Sequence, residues 1–307
     1  MEYNEFIKGV VEELKKFYGE DYKVEVTEHM IRCDTSYDGL VIKDKNGEES
    51  PVFHLTDLYN RIQDIDLEEG ETEVSLCVEY ITEYYTGQRG IEMSNRHKEF
   101  EEILKDFEKC KDRIVFTLVN KENNKRYLEN IVYYNFDETE MAIVFEVDYM
   151  DMCKKITPNH MKRYGVTLEE LKELAKVNTP KIRKAVRHSL YEILISLSAD
   201  KEKTRKNIKG KIEHDAKNMF VISTEDKYQG SSVVLYPDYL KNIADELGDD
   251  LLVVFASSHE VVVLRKRDYK KSLSSFAYET DIIYPFEYLS DRVYLYKREE
   301  NFVTIYE

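Results

Sequence analysis

The sequence predicts an α+β fold, with mixed or antiparallel sheets and packed helices. Three observations lead there. Apolar residues recur at helical spacing in several segments bounded by Gly or Pro, and short β-branched runs lie between those segments. In the last third the order is two strands, helix, two strands, helix, two strands, which predicts an antiparallel or mixed sheet with helices on it. At 307 residues the chain is long enough for about two domains, at roughly 150 residues each. The expected division is an α+β domain over 1–150, a helical connector with a basic segment over 151–211, and an α+β domain over 212–307 around a hairpin at 251–264.

Near the start, Phe6, Ile7, Val10, Leu14 and Phe17 share one helical stripe, and Gly19 is the expected stop. Tyr22–Thr27 alternates like a half-buried strand, and Gly39–Lys43 is a second strand. Asn46-Gly47 marks a turn, the strongest short hairpin signal. Val52-Phe53-His54-Leu55 leaves that turn as a strand and runs into a helix opening near Thr56. Two surface helices follow, Glu71–Tyr85 and Asn95–Lys109, with the two-glycine stretch Thr86–Asn95 expected as a loop. Strands resume at Arg113–Val119, Ile131–Phe136 and Met141–Val147; the first and last are apolar at nearly every position, as strands covered on both faces are.

Residues 155–200 read as helical throughout. Thr167 with Glu170 three residues on is a capping-type start. Asn178-Thr179-Pro180 is the expected end, because the residue before proline avoids the α region. A further helix, Lys181–Leu197, would bury Leu190, Ile193, Leu194 and Leu197, and the polar run Ser198–Lys211 is the boundary candidate. Beyond it, Met219–Ser223 and Ser231–Tyr236 read as paired strands. Pro237 opens a helix carried by Leu240, Ile243, Ala244 and Leu247 and closed by Gly248. Next come the buried hairpin Leu251–Leu264, a helix over Asp268–Tyr278, and strands Arg292–Lys297 and Phe302–Tyr306.

An apolar share of 42% beside a charged share of 35% belongs to a folded chain rather than a disordered one. No apolar run approaches the ~18 residues needed to cross a bilayer. The acidic, amphipathic stretch Met1–Lys16 lacks the basic-then-apolar plan of a signal peptide. Cys33, Cys77, Cys110 and Cys153 are far apart, without a Cys-x-x-Cys pair, which points to free thiols in a reducing cytoplasm. A net charge of -16 argues against nucleic acid as a partner, because phosphate binding rests on Lys and Arg. One stretch is different: Lys181–Lys211 holds ten Lys and Arg against Glu192, Asp200 and Glu202. Within it Lys203, Arg205, Lys206 and Lys209 are candidates to meet an acidic partner or RNA, and a solvated helix face is the plainer account.

Chemistry is sparsely signalled. The hairpin tip, Ser257-Ser258-His259-Glu260, is the one place where a hydroxyl, an imidazole and a carboxylate sit together. A serine nucleophile needs a base in hydrogen-bond reach and a group that orients the base. In an extended chain Ser257 and His259 share a face while Glu260 points the other way, and no Gly-x-Ser-x-Gly elbow is present. The tip is therefore a candidate binding site or structural turn before it is a catalytic one. No His-x-x-x-His pair, Gly-rich phosphate loop or dinucleotide fingerprint occurs, so no metal or cofactor is expected. Acidic pairs such as Glu68-Glu69 and Asp249-Asp250 read as solvated surface and turn residues.

Several segments in the same order resemble one family: Asp38-Gly-Leu-Val-Ile, Pro51-Val-Phe-His-Leu, Arg113-Ile-Val-Phe-Thr-Leu-Val-Asn, Leu171-Lys-Glu-Leu-Ala-Lys-Val-Asn-Thr-Pro and Ser257-Ser-His-Glu-Val. They are similar to a domain of unknown function in uncharacterised bacterial proteins, common in anaerobic gut Firmicutes and often near mobile elements. The family pattern has a proline before the two serines and an additional apolar residue before the histidine; here Ala256 replaces the proline and the additional residue is missing. The resemblance implies no activity, cofactor or catalytic residue. The expected function is a non-enzymatic, cytoplasmic binding or regulatory protein that acts on a protein partner. In its sharper form it is a mobile-element accessory factor whose acidic face imitates nucleic acid. The alternative is a hydrolase-like enzyme using Ser257 or Ser258 with His259. The sequence leaves the oligomeric state open.

Overall fold

The computed structural model describes every residue except 32, 48, 197, 199, 208–216, 256, 269–286 and 307, and for 88–90 the backbone alone. The chain divides into two units, Met1–Lys105 and Asp106–Glu307. The division falls earlier than the expected 150, because the strands after residue 113 pack with a helix far downstream. Both units combine helices with antiparallel sheets, so the α+β class holds.

The first unit runs α1 (Tyr3–Tyr18), β1 (Tyr22–Met30), β2 (Ser36–Asp44), β3 (Phe53–His54), α2 (Leu55–Gln63), α3 (Glu73–Thr86) and α4 (Gln88–Lys105). Its antiparallel sheet has the order β1-β2-β3. The α1 stripe supplies Phe6, Val10 and Leu14 to a core shared with Val24, Leu40 and Ile42 of the sheet, Ile62 of α2, and Cys77 and Ile81 of α3. Phe17, expected on that stripe, is exposed instead. Asn46-Gly47 turns the chain between β2 and β3, with Gly47 at φ +80° where glycine is favoured. Thr72 and Ser75 form a reciprocal cap at the start of α3. The stretch from 88 to 95, expected as a loop, is the first half of α4. Gly87 ends α3, while Gly90 is carried inside the next helix, where glycine costs about 1 kcal/mol relative to alanine without forbidding the helix.

The second unit contains α5 (Phe107–Cys110), β4 (Ile114–Asn120), α6 (Lys125–Leu128), β5 (Tyr133–Asn135), β6 (Met141–Tyr149), β7 (Met152–Lys155), α7 (Pro158–Tyr164) and α8 (Leu168–Ile182). It continues with β8 (Ala185–Ser189), α9 (Leu190–Ser196), α10 (Lys201–Asn207), β9 (Met219–Thr224), a 3-10 helix at Gly230–Leu235, α11 (Tyr239–Leu247), β10 (Leu251–Val254), β11 (Val261–Arg265), β12 (Val293–Lys297) and β13 (Phe302–Ile305). In its four-stranded sheet β6 pairs with β4 along one edge, while β5 and β7 divide the other. Its six-stranded sheet has the order β13-β12-β10-β11-β9-β8, with every described pair antiparallel. The hairpin β10–β11 is central in that sheet, buried on both faces as its continuous apolar arms require.

Three sequence expectations change here, each for a tertiary reason. Helix α8 continues through Pro180 to Ile182. Proline removes one N–H but does not stop the helix, because Asn178 and Thr179 tie this turn to the edge of β4. The expected helix over Lys181–Leu197 is the strand β8 followed by α9, split where Ser189 and Glu192 cap each other. The expected strand at Ser231–Tyr236 is the 3-10 helix, because Ser232 Oγ bonds back to the Gln229 carbonyl (2.6 Å), which holds the backbone in a turn. Segment 151–211, expected as a connector, thus supplies α8 to the four-stranded sheet and β8 to the six-stranded one. Of the helix expected over Asp268–Tyr278, residues 269 onward lie outside the described residues.

Candidate functional site

The β10–β11 connection brings Ser257, Ser258, His259 and Glu260 together, and the tip closes on itself. Ser257 Oγ accepts the His259 N–H (3.0 Å), and the Ser257 N–H donates to the Glu260 carbonyl (3.3 Å). Ser258 is buried and held by its backbone: its N–H donates to the Glu287 carbonyl (2.7 Å), and its carbonyl accepts the Ser231 N–H (3.1 Å). The Ser258 hydroxyl has no hydrogen-bond partner among the described residues. Ser223 Oγ donates to the His259 carbonyl (2.6 Å). Gly230 lies against that same carbonyl, and a Cβ there would come within 2.1 Å of its oxygen. Glu260 is exposed.

The His259 ring is held at both nitrogens. Nδ1 accepts the Gln229 N–H (3.2 Å), so Nε2 carries the proton and donates to Glu287 Oε1 (2.8 Å). A general base for serine must take the hydroxyl proton on a ring nitrogen. Here the one lone pair available is occupied by a backbone amide, and neither Ser257 nor Ser258 bonds to the ring. The carboxylate that orients the ring comes from Glu287, not Glu260. The tip thus has the residue types of a triad and the wiring of a structural plug.

The basic segment is not one cationic face. Lys203, Arg205 and Lys206 are exposed on the seven-residue helix α10, where Arg205 pairs with Glu202 (2.8 Å). Lys209 lies outside the described residues. Arg187, from the same charge count, pairs with Glu246 (2.9 Å), and Arg183 is buried.

Arg183 belongs to a buried charge cluster that sequence reasoning missed. Its position follows from how α8 is anchored. Asn178 Nδ2 donates to the carbonyls of Lys111 (2.8 Å) and Ile114 (3.1 Å), and Thr179 Oγ1 accepts the Phe116 N–H (3.1 Å). These bonds pin the last turn of α8 to β4 and deliver Arg183, the next residue after the helix, over the neighbouring strand β6. There Glu146 and Asp148, two residues apart, point to the same face. Arg183 Nη2 donates to Glu146 Oε1 (2.6 Å) and Asp148 Oδ2 (2.6 Å), and Nε donates to Asp148 Oδ2 (2.9 Å). Lys155, directly opposite Glu146 on β7, pairs with its other oxygen. Burial by itself would push the Glu146 carboxyl up; the Lys155 and Arg183 charges outweigh it and hold the group at about 2. Tyr236 Oη donates to the Arg183 carbonyl (2.6 Å). Tyr228 links cluster and tip: the Arg183 guanidinium lies over its ring at 5.0 Å, and the His259 ring is 6.0 Å away. A carboxylate at Glu146 inside the apolar run Met141–Val147 was the available signal, because a buried charge needs a partner.

No helix among the described residues is long and apolar enough to cross a membrane. No curated protein and no solved structure matches the chain. Two of its family-like segments nonetheless have visible structural duties, the Asn-Thr-Pro turn on β4 and the Ser-Ser-His-Glu tip. Residues 3–298 match the model of the Family of unknown function (DUF5688), and the chain belongs to that family.

Proposed function

We propose that the protein is a non-enzymatic binding protein whose first unit engages a basic protein partner. The observation that carries this is the distribution of charge. In Met1–Lys105, 12 Lys and Arg stand against 26 Asp and Glu, a net of -14, whereas the remaining residues hold 33 against 35, a net of -2. None of the described carboxylates in the first unit is buried. The densest stretch joins α2 to α3: Asp64, Asp66, Glu68 and Glu69 are exposed, and Ile65 and Leu67 between them are 52% and 41% exposed. Acidic groups interleaved with accessible apolar ones suit a partner whose Lys and Arg surround an apolar socket. In the sharper form, that partner is a DNA-binding protein whose basic face is blocked. The occupied ring of His259 speaks against the hydrolase alternative, and four free thiols fit a reducing cytoplasm.

The test is affinity capture of the full chain from a bacterial host lysate at low and high salt. It is run beside a variant combining Asp64→Asn, Asp66→Asn, Glu68→Gln and Glu69→Gln. Exposed charges are screened over ~8 Å at physiological salt. A specific partner should therefore be recovered at low salt, released at high salt and weakened by the variant. Recovery that ignores both salt and the variant would overturn the proposal.

A further inference from the structure

Arg183 is 2% exposed and carries five N–H donors. Nε and Nη2 are engaged by Asp148 and Glu146, but buried Nη1 has no partner among the described residues. Buried polar groups in native proteins are almost always satisfied, and a cationic donor left bare is costly, so an orphan of this kind calls for an explanation. The same residue lines a cleft of about 550 Å³, within the ~300–1,000 Å³ range of small-molecule sites.

The cleft's charges are balanced. Lys109, Arg113 and Arg183 face Asp112, Asp148 and Asp226. Asp148 accepts both of its bonds from Arg183 at Oδ2 (2.6 and 2.9 Å). Asp226 Oδ1 accepts the Tyr228 N–H (3.1 Å), which leaves Oδ2. Arg113 is steadied over the Tyr149 ring at 4.8 Å. At the same cleft Ile182 and Met150 are exposed apolar side chains, 41% and 68% accessible.

We propose that this cleft binds a small zwitterion, a compact molecule with one carboxylate and one ammonium, as free amino acids and short peptides have. The carboxylate would pair with Arg113 and Lys109, with the buried Arg183 guanidinium adding positive charge behind them. The ammonium would go to Asp226 and Asp112, and a short apolar side chain would lie against Ile182 and Met150. A phosphate dianion fits worse, since it would add negative charge to a lining that already has three carboxylates. This site is separate from the acidic surface of the first unit and stands without it.

Isothermal titration of the full chain tests the idea. The probes are the L-amino acids, a set of dipeptides, their C-terminal amides, their N-acetyl forms and inorganic phosphate. At least one zwitterion should bind, and blocking either end should weaken it by about tenfold, the loss of one charge-assisted hydrogen bond. Because Arg183 variants endanger folding, the mutational arm uses Asp226→Asn, which keeps an acceptor for Tyr228, and Arg113→Gln. Each should leave the melting temperature unchanged, and a loss of affinity in either supports the site. No binding by any zwitterion at millimolar concentration, binding of phosphate alone, or full affinity in both variants would overturn it.

Discussion

The two units treat polar groups in opposite ways. Among the described residues, the first unit buries a single polar side chain, Ser50, and turns its charge outward. The second unit buries seventeen among its described residues, including Glu146, Arg183 and both serines of the hairpin tip, yet is almost neutral in sum. Size does not account for this, since the second unit is about twice as long and buries many times more. Outward charge contributes little to folding and much to long-range attraction. Inward charge does the reverse: each buried group must find its partner, and the partners hold one arrangement in place. The first unit is accordingly read as a surface for encounter and the second as a framework with a built-in pocket.

The largest effect that would break this contrast is Glu146→Gln, which strips the inward network of its central carboxylate. Removing one member of a buried pair costs about 3–5 kcal/mol, so urea unfolding should show a loss of that order. Hydrogen exchange should place the loss in Asp106–Glu307 and leave Met1–Lys105 protected; equal loss in both would mean the units unfold together. The same substitution sharpens a pH prediction. Because Glu146 is held at about 2, below its ordinary 4.5, its stabilisation is full above 4.5 and disappears as pH falls towards 2. Between those values the native chain should lose stability more steeply than Glu146→Gln, and parallel curves would refute the assignment.

A smaller effect is expected from Gly230→Ala. The added methyl meets the His259 carbonyl and Ser223, and overpacking of this kind costs about 1–3 kcal/mol. An unchanged melting temperature would show that the tip backbone is not tightly held. Smallest is His259→Ala, which removes the bonds to Gln229 and Glu287, at about 1 kcal/mol on a half-exposed side chain. Activity profiling across hydrolase substrates should be identical for the two proteins; a hydrolytic activity lost on substitution would restore the catalytic reading.

Much of the fold was legible because local pattern and tertiary environment agreed. The stripe Phe6, Val10 and Leu14, the turn at Asn46-Gly47 and the arms Leu251–Val254 and Val261–Arg265 were readable for that reason. Pattern failed where side chains overrode it. Ser231–Leu235 has the composition of a strand, but Ser232 bonds back to Gln229 and coils it. Pro180 signals a stop, but Asn178 and Thr179 have bonds elsewhere that keep the turn helical. Ser189-x-x-Glu192 was a readable capping signal inside a segment whose apolar spacing suggested one long helix.

The candidate residues at the tip were visible as types and invisible as wiring. Ser257, Ser258, His259 and Glu260 are adjacent in sequence, yet the groups that decide what His259 can do are Gln229 and Glu287, each about thirty residues away. What the sequence alone determined is the element inventory of most of the chain, its free thiols and the concentration of negative charge before residue 106. These depend on composition and on periodicities of two to four residues. Only the tertiary structure decided the tautomer of His259, the union of Arg183 with Glu146 and Asp148, and the place of Arg183 in the lining of the cleft. The reason is physical: a charge or lone pair is defined by whatever stands within about 3 Å of it, and spacing along the chain does not record that.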